Sequence, residues 1–78
     1  MNMPENYSNM IEVFTTNVQE PAEAKQVVAL LKRHFPESKI NFDLDDCDKI
    51  LRVEGKNFNT DAVILLVKET GFACTILE

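Results

Sequence analysis

The sequence predicts a two-layer α+β sandwich with the element order β-α-β-β-α-β, and three observations carry that prediction. Short β-like runs recur at 10–15, 40–44, 49–54 and 72–77. Two longer stretches, 21–35 and 60–70, instead space their apolar residues at helical intervals. Breakers stand where one pattern gives way to the other: Pro21, Pro36, Gly55 and Gly71.

Residues 10–15 (MIEVFT) read as the first strand, with Ile11 and Val13 on one face and Glu12 on the other. Pro21 suits the first helical position, because its missing N–H would be unpaired there anyway. Glu20 and Glu23 suit the positive end of that helix. Ala24, Val27, Val28, Leu31 and Phe35 then form one buried stripe, and Pro36 stops the helix. Ile40, Phe42 and Leu44 alternate with Asn41 and Asp43 in a half-buried second strand. The aspartates of 45–48 (DDCD) make a turn, because Asp side chains bond their own backbone there. Residues 49–54 (KILRVE) return as a third strand with Leu51 and Val53 inward, and Gly55 ends it. Asn59 or Thr60 caps the second helix, whose inward stripe is Val63, Leu66, Val67 and Thr70. Gly71 fits the position just past a helix end, where positive φ is wanted, and 72–77 (FACTIL) form the last strand.

Two right-handed split β-α-β units in this order give the ferredoxin-like sandwich: a four-stranded antiparallel sheet, order 4-1-3-2, with two helices on one face. Seventy-eight residues make a single domain. The expected division is a flexible N-terminal tail at 1–9 and one domain at 10–78. The 45% hydrophobic content suffices for one core. Eight basic residues against thirteen acidic ones, a net charge of −5, argue against nucleic-acid binding, which rests on Lys and Arg neutralising phosphates. Residues 1–9 carry no basic start and no apolar stretch, so no signal peptide is expected. The longest apolar run, 62–67, falls far short of the roughly 20 residues that cross a bilayer. The expected compartment is the cytoplasm, with Cys47 and Cys74 as reduced thiols.

The chemistry-bearing residues are sparse. Cys47 lies in the Asp-rich turn and Cys74 on the opposite edge strand, which is expected to hold them too far apart to share an ion or a disulfide. Asp43, Asp45, Asp46 and Asp48 resemble the start of a calcium loop, with Glu54 at its twelfth place. Asp48 stands at position six, where the sharp bend needs Gly. A solvated acidic hairpin is the expectation. His34 follows Lys32 and Arg33 at a helix C-terminus, where a cation complements the dipole, and no nucleophile is placed beside it. Two glycines leave no phosphate-cradling loop. No catalytic residue, cofactor or resident metal is therefore expected. The surplus lies in the second helix: once Val63, Leu66 and Val67 face the core, Ile64 and Leu65 are left over as a possible contact surface.

Taken together, the VxxLL helix ending in Pro (VVALLKRHFP, 27–36), the strand at 40–44 and the Gly71-Phe72 pair resemble the heavy-metal-associated domain of copper chaperones and metal-pumping ATPases. In that family two cysteines of an M-x-C-x-x-C turn grip the metal. Counted back from Pro36, their places fall at about Pro21 and Ala24, neither of which can donate to a metal. The resemblance thus implies a non-enzymatic binding module whose metal site has been lost, working through a protein partner or as a weak homodimer. The alternative is a copper- or zinc-handling protein with other ligands, such as Cys47. A third reading, sensing of a small molecule between helices and sheet, follows from fold analogy only.

Overall fold

The computed structural model describes residues 10–78, so the tail expected at 1–9 lies outside the described residues. The chain runs β1 (Met10–Thr16), α1 (Pro21–His34), β2 (Lys39–Asp43), β3 (Ile50–Gly55), α2 (Thr60–Glu69) and β4 (Cys74–Ile76). The strands form one antiparallel sheet in the order β2-β3-β1-β4, which is the 4-1-3-2 arrangement read from its other edge. α1 packs on β2 and on α2, and α2 packs on β4. The fold class is the α+β, ferredoxin-like arrangement that the element order implies.

Register explains where the core sits. Phe14 of β1 pairs with Leu51, which pairs in turn with Phe42. One step along, Glu12 pairs with Val53 and Val53 with Ile40. Phe14, Leu51 and Val53 are wholly buried and Ile40 nearly so, which makes this the face that carries the helices. Ala24, Val27 and Leu31 of α1 and Val63 and Val67 of α2 close the core from above. Each of these side chains apart from the small Ala24 contributes about 1.5–3 kcal/mol through its removal from water.

The helices end as their sequences dictate. Glu20 precedes α1 in extended conformation, and the Glu23 carboxylate accepts the Glu20 N–H at 3.2 Å. Pro21 is the first helical residue, and Phe35 caps the far end by donating its N–H to the Leu31 carbonyl at 2.8 Å. Asn59, not Thr60, caps α2: its Oδ1 accepts the Ala62 N–H at 3.2 Å. Gly71 has φ +99, the left-handed position that follows a helix.

Four details differ from the sequence reading. Ile11 and Val13 do share a face of β1, but it is the helix-free one, and Ile11 is 49% exposed. Phe14, the bulkier residue, decides the phase, and Glu12 follows it onto the helix side. Lys49 is not in the return strand, because its φ of +50 ends the turn and β3 begins at Ile50. Thr70 is exposed beyond the end of α2, with its hydroxyl donating back to the Val67 carbonyl. β4 is shorter than 72–77, and Phe72 instead packs half-buried against the core.

Phe14→Ala is expected to cost about 3–5 kcal/mol. Ile11→Ser, on the open face, is expected to stay within roughly 0.5 kcal/mol of the parent chain. Urea unfolding followed by circular dichroism reads both, and equal losses would contradict this assignment of faces.

Candidate functional site

The turn between β1 and α1 is where the family resemblance places a metal. Its short connection, 17–20, is held down by hydrogen bonds from its own and neighbouring side chains. Thr16 Oγ1 accepts the Val18 N–H at 3.2 Å and donates to the Lys49 carbonyl at 2.7 Å. Asn17 Oδ1 accepts the Ala73 N–H at 2.8 Å, which ties this turn to the loop after α2. Val18 is wholly buried and fills the space beneath. The Glu23 carboxylate lies over the first turn of α1, taking the N–H groups of Gln19 and Glu20 at 3.4 and 3.2 Å. A free anion meets the chain's own carboxylates at this helix start. Pro21 and Ala24, the two places that the resemblance assigns to thiols, are the first helical residue and a core residue.

The β2–β3 turn holds the other candidate ligands. Asp43 Oδ1 accepts the Asp45 N–H at 3.2 Å and Asp46 Oδ1 accepts the Asp48 N–H at 2.8 Å. Two of the four aspartates are therefore spent on shaping the turn. The Lys49 ammonium donates to the Leu44 carbonyl at 3.0 Å and crosses the hairpin. Thr15 Oγ1 donates to the Asp48 carbonyl at 2.9 Å, which anchors the turn to β1. Cys47 is exposed at the tip, and one ligand atom each from Asp46, Cys47 and Asp48 fit within 4.8 Å of one another. Cys74 takes no part. It is 1% exposed, and burial pushes its thiol from the ordinary 9.0 to about 11, with Lys68 pulling partly the other way.

On α2 the two surplus apolar residues separate. Leu65 is 58% exposed, whereas Ile64 is half-buried against the core. Only Leu65 stands free on the outer face, one helical turn from Asp61 on one side and from Lys68 on the other. His34 is exposed, its Nδ1 3.2 Å from the Leu30 carbonyl, consistent with the helix-end role expected for it.

A cavity of about 470 Å³ opens beneath the last turn of α1, and sequence reasoning missed it. His34 to Lys39 line one wall and Glu54 to Asn57 the other. Its cause is the inward row of the sheet that follows Val53 and Ile40. There Gly55 continues the inward phase of Leu51 and Val53, and Ser38 lies over it. A Cβ on Gly55 would collide with Ser38 Oγ, which occupies that space. Extending each strand's period of two by one more step, from Val53 to Gly55 and from Ile40 to Ser38, was the signal available in the sequence. No family model, curated protein or solved structure matches this chain.

The buried Cys74 makes stability depend on alkaline pH. Its folded pKa lies above the unfolded one, so between 9.0 and about 11 the unfolded chain releases a proton that the folded chain keeps. Stability therefore falls as pH rises through that window, by roughly 2–3 kcal/mol from this group. Urea midpoints at pH 8 to 11 for the parent chain and for Cys74→Ala isolate the effect. Parallel pH profiles for the two proteins would contradict it.

Proposed function

We propose that this chain is a small non-enzymatic interaction module with a heavy-metal-associated-like fold whose metal site has been lost. The observation that carries the reading is the occupancy of the β1–α1 turn. Pro21 and Ala24 stand at the thiol places, Val18 plugs the turn, and Thr16, Asn17 and Glu23 take its hydrogen bonds. A turn so filled serves as a structural clasp between two connections rather than as an open cradle. Contact with a protein partner, or weakly with a second copy of the chain, then falls to the outer face of α2. Leu65 is its exposed apolar residue and Ile64 its half-buried flank.

A second reading is favoured by one specific observation, the convergence of Asp46, Cys47 and Asp48. In it the chain handles copper or zinc at the β2–β3 turn, with one thiolate and two carboxylates. Soft copper(I) prefers two or more sulfur ligands, whereas a single thiolate with carboxylates suits zinc better. One thiolate on an exposed turn supports weak binding at most, and for that reason it ranks second.

Competition titrations with copper(I) and with zinc, under reducing conditions, decide between the two readings. The parent chain is expected to bind no more tightly than Cys47→Ser. Binding at one equivalent that is lost in Cys47→Ser would sink the first reading in favour of the second. For the contact surface, sedimentation equilibrium is the measurement. Leu65→Lys is expected to abolish the weak self-association of a concentrated parent chain. A parent chain that stays monomeric would remove the second copy as the occupant.

A further inference from the structure

We propose that β4 is a pairing edge for a second copy of the chain, which joins the two sheets into one and sets the two α2 helices side by side across a two-fold axis. The inference rests on the self-contact branch of the function proposed above and names the edge that carries it. β4 is an edge strand of three residues. The Leu77 N–H donates to the Val13 carbonyl at 2.9 Å, so residues 75 and 77 direct their backbone groups to β1. Strand alternation then turns the N–H and C=O of Cys74 and Ile76 toward the free edge. Sheet edges are commonly blunted against such pairing by charge or proline. The β2 edge carries Lys39 and Asp43, whereas 74–77 (CTIL) has neither charge nor proline.

The side chains above the edge choose its occupant. Ile76 pairs with Phe14 and so belongs to the face that carries the helices, yet it is 41% exposed because the sheet ends beside it. α2 packs on β4, and the Lys68 charge acts on the Cys74 thiol, which turns the Lys68 side of the helix toward this edge. Ile64 lies one turn before Lys68 on the same side. The chain reverses over 70–73, so four helical residues, about 6 Å, run beside two strand residues, about 7 Å. Ile64 therefore stands level with Ile76, with Asp61 toward one end of the row and Lys68 at the other. Among the described residues neither Asp61 nor Lys68 is in an ion pair. A row with an acid at one end, a base at the other and an apolar centre is complementary to its own reverse, which is what a two-fold contact requires. The axis near Ile76 sets the helices antiparallel. Asp61 of each copy then faces Lys68 of the other, and Ile64 and Ile76 close a shared apolar seam with Leu65 at its rim. Three strand residues supply few ladder bonds, so the pairing is weak.

Sedimentation equilibrium of the full chain at up to about 1 mM tests the proposal, with circular dichroism to check the fold of each variant. Ile76→Lys is expected to weaken self-association at least about tenfold. Asp61→Lys and Lys68→Glu each set like charges opposite one another and are each expected to weaken it about fivefold. An equimolar mixture of those two variants brings opposite charges together again and is expected to associate as the parent does. Both change exposed side chains, so the mixture decides even where Ile76→Lys does not fold. A mixture no tighter than either variant alone would overturn the proposal, as would a folded Ile76→Lys that associates like the parent. Loss of association in Leu65→Lys, with the edge variants unchanged, would refute the β4 edge and leave the contact on the outer face of α2. A parent chain that stays monomeric would refute the pairing and leave the module to a different protein partner.

Discussion

The pairing of Phe14 with Leu51 is the constraint on which the rest of the molecule depends. β1 and β3 are the two central strands, and each has a neighbour on both sides. A slip of one residue between them would turn Phe14 outward and bring Ile11 and Val13 in, exchanging every contact with the helices. The register also places Thr16 opposite Cys74 and beside the β2–β3 turn, so one residue joins three connections at that end of the sheet. At the other end the same register sets Met10 opposite Gly55, where the inward row runs out of large side chains. The clasped turn and the open cavity are thus two consequences of one alignment.

These two ends differ in how their polar groups are used. Around the β1–α1 turn, side chains and backbone satisfy one another, and a buried valine occupies the centre. Ordering such a turn costs conformational entropy, which the internal hydrogen bonds and the burial of Val18 offset. A ligand there would have to break bonds already made. Around the cavity the lining is open to solvent, and its charged residues, Glu37, Lys39, Glu54 and Lys56, balance in number. The chain itself uses the polar groups of the β1–α1 turn, whereas the opposite end of the sheet keeps an accessible hollow.

Much of the architecture was legible because several local signals agreed. Pro21 opens α1 and Pro36 follows its end, Gly71 follows α2, and the stripe of Ala24, Val27 and Leu31 is the buried one. The phase of β1 was harder to read, because Ile11 and Val13 form an apolar pair while Phe14 keeps Glu12 and Thr16 as companions. Count favoured one face and bulk the other, and the packing of a large ring decided. Val18 and Phe58 are core residues that lie outside any strand or helix, so no period reveals them. The surplus of α2 was half legible: Leu65 is exposed as a helical wheel requires, whereas Ile64, at the flank of the stripe, is drawn partly onto the core. The cavity was not read because it arises from what two residues lack. Its signal is small side chains at inward positions, and an amphipathic pattern registers only large ones.

The same point applies to charge. A total of −5 describes the chain as seen from far away, and it argues against a polymer of phosphates as partner. It does not describe either end of the sheet. The aspartates of 45–48 precede β3 and the cavity surrounds its last residue, so the six residues of the strand lie between them. At about 3.3 Å per residue that is roughly 20 Å. Screening at physiological salt acts over about 8 Å, so the acidic turn contributes little to the potential at the cavity. What a ligand meets there is set by the groups lining it, where two lysines stand against two glutamates. The net charge of the chain therefore says little about the local field at either end of the sheet.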